Sequence, residues 1–511
     1  MSRATISTGG ADFRTSEQRS EKINRDNGTP MHIAVLADFS GRKSREQEQL
    51  DSLSGRKVIE INRDNFDEIF SKLDVQLQLP VTEDALVFEE LDNLHPDFIY
   101  ERVGLFDKLR ILKRKLKKKD SFSAAAEEIL AWTNFRNEAP REEENIPEGI
   151  EIPANLLDAA LQGHNIADQL AQGPLGNIDG LIKDIVSPYV EAKSDPRQPE
   201  MLAAIDEATS ETMRAIMHHS DFQQLEASWR SLYWLLREIE TDSNISVYIM
   251  DVSQNELRAD LARPDADSQC FQKFVEARGS IDDTPFGIIL GDYQLQNTGE
   301  DAELAFQMAL LADNAKGCWL SAGHEQLAGC PALSSADDSD NWKSGIGEED
   351  LSDADREAVD KWQQMRKSSS ASHLGLAVPR FLLRLPFGKK TTSTENFDYQ
   401  ELAENGSHEF YLWGNGAFLL TRLLAEGYSR KGWAAQPGQF IEVDDLSLHV
   451  YDDDGESVVK PCAEVLLSDR SSAVLSNAGL LVLRSTRNKD RITVPQFQSM
   501  ASTQCVIEGL W

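Results

Sequence analysis

The sequence has few features that would mark a membrane protein, a disulfide-stabilised domain or a metalloprotein. It contains no apolar run of the 18 or more residues that a membrane-spanning helix needs. Its 5 cysteines are widely spaced in 511 residues and form no C-x-x-C pair, which excludes a zinc ribbon and a dithiol redox motif. We therefore expect free, buried thiols and a cytoplasmic protein without a membrane span.

Positive charge is also scarce. The chain has 52 Lys and Arg against 86 Asp and Glu, a formal net charge of −34. A surface of that sign repels phosphate backbones and anionic lipids, so nucleic acids and membranes are excluded as general partners. The composition fits a protein that docks on basic patches of other proteins.

Motifs for catalysis or cofactor binding are absent as well. The sequence has no phosphate-binding G-x-x-x-x-G-K-[ST], no H-E-x-x-H and no G-x-S-x-G. Two apolar stretches, MHIAVLA and FGIILG, each lead into an aspartate, Asp38 and Asp292. Carboxylates at strand ends are catalytic in many α/β enzymes, but such an aspartate also caps the next turn. No base, nucleophile or metal ligand stands out beside them, so we favour the structural role. We predict no enzyme activity and no catalytic, cofactor or metal site.

Strands and helices alternate along much of the chain. Apolar runs such as NISVYIMDV and CWLSAG are typical of buried strands, and DFQQLEASWRSLYWLLREIE has helical periodicity with Asp221 as its predicted cap. This alternation predicts an α/β fold with a mostly parallel sheet. From about residue 440 the pattern changes to short strands and turns, which predicts a β-rich C-terminal part.

Composition also suggests domain boundaries. Residues 1–30 form a polar stretch that we expect to be a disordered tail, and 31–119 form a first α/β domain. Residues 120–153 are acidic, contain proline and are predicted to be a linker. A second domain covers 154–511, with an acidic loop at 331–352.

A basic helix is predicted at the end of the first domain. Leu105, Leu109, Leu112 and Leu116 share one face, and the other faces carry lysine and arginine. The charged faces are solvated, pair with the acidic linker, or contact acidic faces of an assembly. For the last case we predict Lys113, Arg114 and Lys115 as partner-binding residues.

These segments resemble a known family in chain order. Residues 31–119 are similar to the small subunit (TssB, VipA or ImpB) of the type VI secretion contractile sheath, and 154 onward resembles the large subunit (TssC, VipB or ImpC). The small-subunit resemblance is carried by VLADFSGRK, RKVIEINRDNFDEIFSKLDVQLQL and LHPDFIYERVGLFDKLRILKRKL. The large-subunit resemblance is carried by MHHSDFQQLEASWRSLYWLL, PFGIILGDYQL, FYLWGNGAFLLTRLLAEGYSRKGW, GLLVLRSTRNKDRITVPQF and, most specifically, KWQQMRKSSSASHLGLAVPRFLLRLPFG.

The resemblance implies two packed α/β sheath-type domains and a structural function. Sheath subunits pair and stack into a tube that contracts around an inner tube, without a cofactor. The implied partners are other sheath subunits, the inner tube protein, the baseplate and a ClpV-type unfoldase. The unfoldase would recognise a short helix near the start of the large-subunit part, which matches Leu156, Leu157 and Leu161. That helix can also be one that simply packs against its neighbours.

Two departures from the family pattern suggest a particular role. The small-subunit part passes directly into the linker, and the large-subunit part stops where the family continues. We therefore expect a fused small/large subunit that caps, terminates or regulates a sheath. The alternatives are a main polymerising subunit of a minimal type VI or phage-tail-like system and, from a different class, a soluble enzyme.

Overall fold

The computed structural model describes most of the chain. It covers residues 4–8, 11–15, 29–118, 121, 124–126, 128–129, 198–276, 284–333, 339, 342, 352–402, 408–453 and 455–511. We call residues 29–129 the N-terminal segment and residues 198–511 the C-terminal segment. In the predicted tail the structure describes residues 4–8, 11–15 and 29–30, which include two short strands. The other residues of the tail, most of the linker and most of the predicted acidic loop lie outside the described residues.

Strands and helices alternate through both segments. The helices of seven or more residues are α1 (Phe66–Lys72), α2 (Pro96–Arg102), α3 (Asp107–Lys117), α4 (Gln198–Met217), α5 (Ser220–Glu238), α6 (Gln254–Leu261), α7 (Gly299–Ala315), α8 (Asp353–Lys367), α9 (Ala417–Lys431) and α10 (Asp469–Asn477). The strands are β1 (Ala4–Thr8), β2 (Ala11–Thr15), β3 (Met31–Ala37), β4 (Val58–Ile61), β5 (Val75–Leu77), β6 (Leu86–Phe88), β7 (Ile245–Asp251), β8 (Phe286–Leu295), β9 (Cys318–Gly323), β10 (Leu374–Val378), β11 (Phe381–Leu382), β12 (Trp413–Gly414), β13 (Glu442–Val443), β14 (His449–Asp453), β15 (Glu456–Lys460), β16 (Leu481–Val482), β17 (Arg484–Ser485) and β18 (Ile492–Thr493).

A seven-stranded sheet joins the two segments. Its order is β16-β10-β9-β8-β3-β7-β4, and every neighbouring pair is parallel except β4 with β7. Strand β3 comes from the N-terminal segment but lies between β7 and β8 of the C-terminal segment. The two segments therefore share one sheet. The predicted α/β class is confirmed.

Both faces of the sheet are covered, as parallel sheets require. Alternate residues of β3 point to opposite faces, with Ile33 and Val35 in one core and Ala34 and Leu36 in the other. The first core contains apolar residues of α5 and α9, and the second contains those of α7. The arrangement is three layers, with helices on both sides of the sheet.

The basic helix packs as its apolar stripe predicts. Leu105 precedes α3, and it is buried together with Leu109, Leu112 and Leu116 of the helix in the first core. Helix α3 lies against α4, which opens the described part of the C-terminal segment. None of the helices in the described part of the chain is long and apolar enough to cross a membrane.

Two local predictions are wrong. The cap of α5 is His219, whose side chain accepts a hydrogen bond from the backbone N–H of Asp221, so Asp221 lies in the first turn. Asp292 does not follow its strand, because β8 continues to Leu295. The pairing of β8 with β9 shifts register between Leu290 and Gln294, so Asp292 lies at an irregularity within the strand.

Candidate functional site: the junction between the two segments

The loop after β3 lies where the two segments meet. Its first residue, Asp38, accepts hydrogen bonds from the backbone N–H groups of Arg42 and Lys43, both at 2.9 Å. Burial and the nearby Asp251 carboxylate raise the pKa of Asp38, although the two N–H bonds act in the opposite direction. Asp38 therefore has the hydrogen bonds of a turn cap.

Arg42 is the centre of a buried charge network. Its guanidinium forms an ion pair with Asp251, at the end of β7, and donates to the Asp251 carbonyl oxygen at 2.9 Å. The same group contacts Glu256 of α6, with Nη2 3.0 Å from Oε2. Ser40 adds a hydrogen bond from its Oγ to Asp251 at 2.8 Å. Arg42 thus connects the N-terminal segment to two elements of the C-terminal one.

Glu256 has several donors in addition to Arg42. Arg56 contacts its Oε1 at 2.8 Å, the backbone N–H of Gln49 donates at 2.7 Å and that of Ser253 at 3.0 Å. Burial alone would favour the neutral acid, but the bonds from Arg42 and from the backbone lower the pKa of Glu256 overall. The carboxylate is therefore held ionised and fully bonded, with no position left for a substrate.

An aromatic cluster continues the junction on the other side of the loop. Trp229 of α5 is fully buried, and its Nε1 donates to the carbonyl oxygen of Phe39 at 2.8 Å. The rings of Phe39, Phe66 and Phe70 surround it at centroid distances of 5.0, 5.6 and 4.3 Å. All three phenylalanines belong to the N-terminal segment, so this cluster is a shared core and not a ligand pocket.

The N-terminal segment also caps α5. Arg63 donates to the carbonyl oxygens of Leu236 at 2.7 Å, Arg237 at 2.6 Å and Ile239 at 3.2 Å. The last carbonyl groups of a helix have no partner within the helix, and a cation there also interacts favourably with the helix dipole. One side chain of one segment thus satisfies the end of a helix in the other.

Asp292 is buried away from the Arg42 network. Its Oδ2 accepts a hydrogen bond from Ser228 Oγ at 2.6 Å. Burial raises the pKa of Asp292, against the hydrogen bonds from Ser228 and Asn415. Its described partners therefore come from α5 and from the start of α9, and not from Asp38. The structural interpretation of both aspartates agrees with these contacts.

The most specific family motif forms a second buried network. Arg384 contacts Glu226 through Nε at 2.8 Å and Nη2 at 3.0 Å, and Glu401 through Nη1 at 2.7 Å and Nη2 at 2.9 Å. The backbone N–H of Phe387 also donates to Glu401, at 2.7 Å. The nearby carboxylates raise the pKa of Arg384 despite its burial. This network fixes the loop after β11 against α5.

The predicted partner-binding residues fall in three different environments. Lys113 pairs with Asp206 of α4 at 2.6 Å, which is a contact between the two segments. Lys115 pairs with Glu128 at 3.4 Å, and Arg114 is exposed. Leu156, Leu157 and Leu161 lie outside the described residues. The role of all six residues in partner binding stays a prediction.

Sequence reasoning missed most of the junction. Asp251 and Glu256 lie more than 200 positions from Arg42, and nothing local marks them as its partners. One signal was present, because Ser253 and Glu256 form a capping box at the start of α6. Within the described residues, no group of three or more His, Cys, Asp or Glu could hold a metal ion.

The fold and the junction define a class: an α/β protein in which two segments of one chain are held together by a shared sheet and by buried ion pairs. Comparison with known proteins gives the family. The family described as "EvpB/VC_A0108, tail sheath N-terminal domain" matches residues 199–504. The chain belongs to this tail sheath family. A second family, "Type VI secretion system, VipA, VC_A0107 or Hcp2", matches residues 17–139, so the predicted fusion of a small and a large sheath subunit is confirmed.

One curated relative is the type VI secretion system sheath protein TssC1 of Pseudomonas aeruginosa. It is 29% identical over 300 residues, which cover 57% of this chain and 58% of the relative. The alignment therefore spans little more than half of that protein's length. The assembly properties of the whole relative come to this chain as proposals.

Proposed function

We propose that the chain is a covalently joined small/large protomer of a type VI secretion contractile sheath, with a structural function. The observation that carries this proposal is the position of β3 between β7 and β8. Because β3 is bonded on both sides, the two segments form a single unit, and the covalent link fixes their ratio at one to one. Two arginines support the same conclusion, since Arg42 joins the segments through buried ion pairs and Arg63 joins them through hydrogen bonds to the end of α5.

The more specific role that we propose is that of an accessory piece that caps, terminates or regulates a sheath. The edges of the central sheet support it. At one edge, β4 is four residues long and presents Glu60 to solvent. At the other, β16 has two residues, and Gln498 Nε2 donates to the adjacent Leu480 carbonyl oxygen at 2.7 Å. Short, charged or covered edges resist the addition of a further strand.

A second candidate is a main polymerising subunit. The observation in its favour is that the chain carries exposed groups of opposite sign, the basic residues of α3 and the side chains of Asp452 and Glu456 on the β14–β15 hairpin. Groups of that kind can join identical copies. In either role the proposed partners are other sheath subunits, the inner tube protein, the baseplate and, through Leu156, Leu157 and Leu161, a ClpV-type unfoldase.

Negative-stain electron microscopy of the purified chain, alone and mixed with full-length small and large sheath subunits, tests these proposals. Tubes formed by the chain alone would establish the polymerising role and contradict the capping role. Single particles alone, with extra density at the ends of the partner tubes, would support the capping role. The matched control is Ile33→Asp, which places a charge in the centre of β3. It should abolish both tube formation by the chain alone and binding to the ends of partner tubes. A well-folded native chain that ignores the partner sheath and forms no assembly would contradict the proposed function.

A further inference from the structure

The last residue of the β14–β15 hairpin, Lys460, lies against a histidine and two aromatic rings. Its Nζ is 2.7 Å from Nδ1 of His408. The same atom is 5.3 Å from the ring centroid of Tyr411 and 5.7 Å from that of Trp413. Lys460 is half-buried, so its amine meets a ring nitrogen and two aromatic faces while the residue keeps some exposure to solvent.

His408 is oriented by a carboxylate on its other side. Its Nε2 lies 3.0 Å from Oε1 of Glu464, and its ring stacks on that of Trp413 with the centroids 4.9 Å apart. A carboxylate only accepts hydrogen bonds, so Nε2 carries the proton of the neutral ring and Nδ1 presents its lone pair to Lys460. Carboxylate, imidazole and amine thus form one hydrogen-bonded series.

Glu464 is held in its ionised form by an arginine. The guanidinium of Arg380 pairs with Oε1 of Glu464, and the backbone N–H of Arg380 donates to Oε2 at 3.2 Å. Burial alone would favour the neutral acid, but the bonds from His408 and Arg380 lower the pKa of Glu464 well below its usual range. A negative charge is therefore present beside His408, where it stabilises the protonated imidazole.

The amine of Lys460 has a base beside it and is partly removed from water. Burial lowers the pKa of Lys460, and the Glu464 carboxylate acts in the opposite direction. A lysine amine is a nucleophile only when it is neutral, and desolvation is one way in which proteins favour that form. His408 Nδ1 lies within hydrogen-bond distance of the proton that has to leave, which is the position of a general base.

We propose that Lys460 is a modification site that accepts an acyl group from a small activated donor, an acyl phosphate or a thioester, with His408 as the base and Glu464 as the residue that positions it. The Lys460 ammonium first passes one proton through His408 to solvent. The neutral nitrogen then attacks the acyl carbon, a C–N bond forms, and the bond from that carbon to oxygen or sulfur breaks with its electron pair. A second proton of the amine passes to His408, and the products are an amide and a free phosphate or thiol.

The modification would act on the packing of the hairpin. Acylation removes the positive charge of Lys460 and with it the cation–π contacts to Tyr411 and Trp413. These contacts join β15 to the residues at the start of β12. The site goes beyond the proposed function and does not depend on it, so its failure would leave the sheath role untouched.

Mass spectrometry of the purified full chain, after timed incubation with acetyl phosphate, measures the reaction at each lysine. We expect Lys460 to be acetylated several-fold faster at pH 7 than the exposed Lys390 and Lys489, which are the matched controls. Acetyl-CoA tests the thioester donors in the same way. Faster reaction at Lys460 with either reagent supports the site and assigns the class of donor. A rate at Lys460 no higher than at the two exposed lysines with both reagents would overturn it.

Substitutions test the base and the residue that positions it. His408→Gln should lower the rate at Lys460 about tenfold or more and leave the rates at Lys390 and Lys489 unchanged. Glu464→Gln keeps an acceptor for Nε2 but removes the charge, so a smaller, several-fold loss is expected. The matched control is His324→Gln, because His324 is also half-buried beside a glutamate, and it should leave the rate at Lys460 unchanged.

The pH dependence separates a reactive amine from a lysine that only packs the hairpin. In the native chain, the rate at Lys460 should reach half of its maximum at a lower pH than the rates at the two exposed lysines. This measurement also decides the matter if a variant fails to fold, which tryptophan fluorescence would show. Identical pH profiles for all three lysines, or an unchanged rate at Lys460 in folded His408→Gln, would overturn the proposal.

Discussion

Arg42 and Arg384 each lie buried between two carboxylates, but they differ in what they connect and in how much each carboxylate depends on them. Arg42 joins the N-terminal segment to Asp251 and Glu256 of the C-terminal segment. Arg384 binds Glu226 and Glu401, and all three residues lie in the C-terminal segment.

The carboxylates of the Arg42 network have more donors of their own. Glu256 also accepts from Arg56 and from two backbone N–H groups, whereas Glu401 has, among the described donors, only the N–H of Phe387 besides Arg384. Burial of an ionised group is costly unless other donors satisfy it. Glu226 of the second network also pairs with Arg230. The junction between the segments therefore distributes its bonds, while Glu401 in the other network depends on Arg384 as its one described cation.

The largest effect is expected for Arg384→Met. The change leaves Glu401 and Glu226 buried with few donors, and it should lower the free energy of unfolding by about 3–5 kcal/mol. Urea denaturation followed by tryptophan fluorescence measures it. Arg430→Met is the matched control, because Arg430 is 63% exposed, and it should change stability by less than about 1 kcal/mol. A loss for Arg384→Met no larger than that of the control would contradict the comparison.

A smaller effect is expected for Arg42→Met, about 2 kcal/mol, because Glu256 and Asp251 keep their other donors. Its consequence should be local to the junction. After cleavage at a protease site inserted within residues 139–150, the two native fragments should elute together in gel filtration at low denaturant. The Arg42→Met fragments should separate at a lower urea concentration than the native ones. Identical separation of both proteins would show that Arg42 does not hold the junction.

The comparison extends to pH. Burial favours the neutral form of Glu226, but Arg384 and Arg230 favour the carboxylate more strongly, so the pKa of Glu226 is lowered. Ionised Glu226 therefore stabilises the fold at pH values above the pKa that it has in the unfolded chain. This stabilisation is lost as the pH falls. Burial raises the pKa of Asp292, so its ionisation lowers stability as the pH rises from about 4. Asp292→Asn should therefore be more stable relative to the native chain at pH 7 than at pH 4. Thermal unfolding at both values measures this, and a difference that does not change with pH would refute it.

The smallest effect is expected for Lys113→Gln. Its ion pair with Asp206 is partly exposed, with side-chain accessibilities of 14% and 30%. Such pairs contribute about 0.5 kcal/mol and lose part of that in high salt. Thermal unfolding of the variant at about 50 mM and 500 mM salt should show a difference from the native chain that shrinks with salt. A loss of more than about 2 kcal/mol in the free energy of unfolding would contradict this prediction, because Lys113 would then stabilise the fold as much as the buried arginines do.

Local patterns predicted the elements well where one face of a helix decides the packing. The leucine stripe of α3 and the buried strands are examples, because periodicity reports burial directly. Two details failed for local reasons: the histidine at position 219 takes the capping role predicted for Asp221, and β8 continues past Asp292. The pairing of Arg42 with Asp251 was not predictable, since 209 residues separate them. The place of β3 in the sheet depends on the same kind of distant pairing, which periodicity does not encode.

The position of β3 has a mechanical consequence. Seven residues of this strand pair with β7 and five pair with β8, and all of these pairings are parallel. A force along the strand direction loads both ladders in shear, so that many hydrogen bonds must break together and none can be unzipped singly. In a protomer built in this way, tension applied along β3 passes to both neighbouring strands of the sheet.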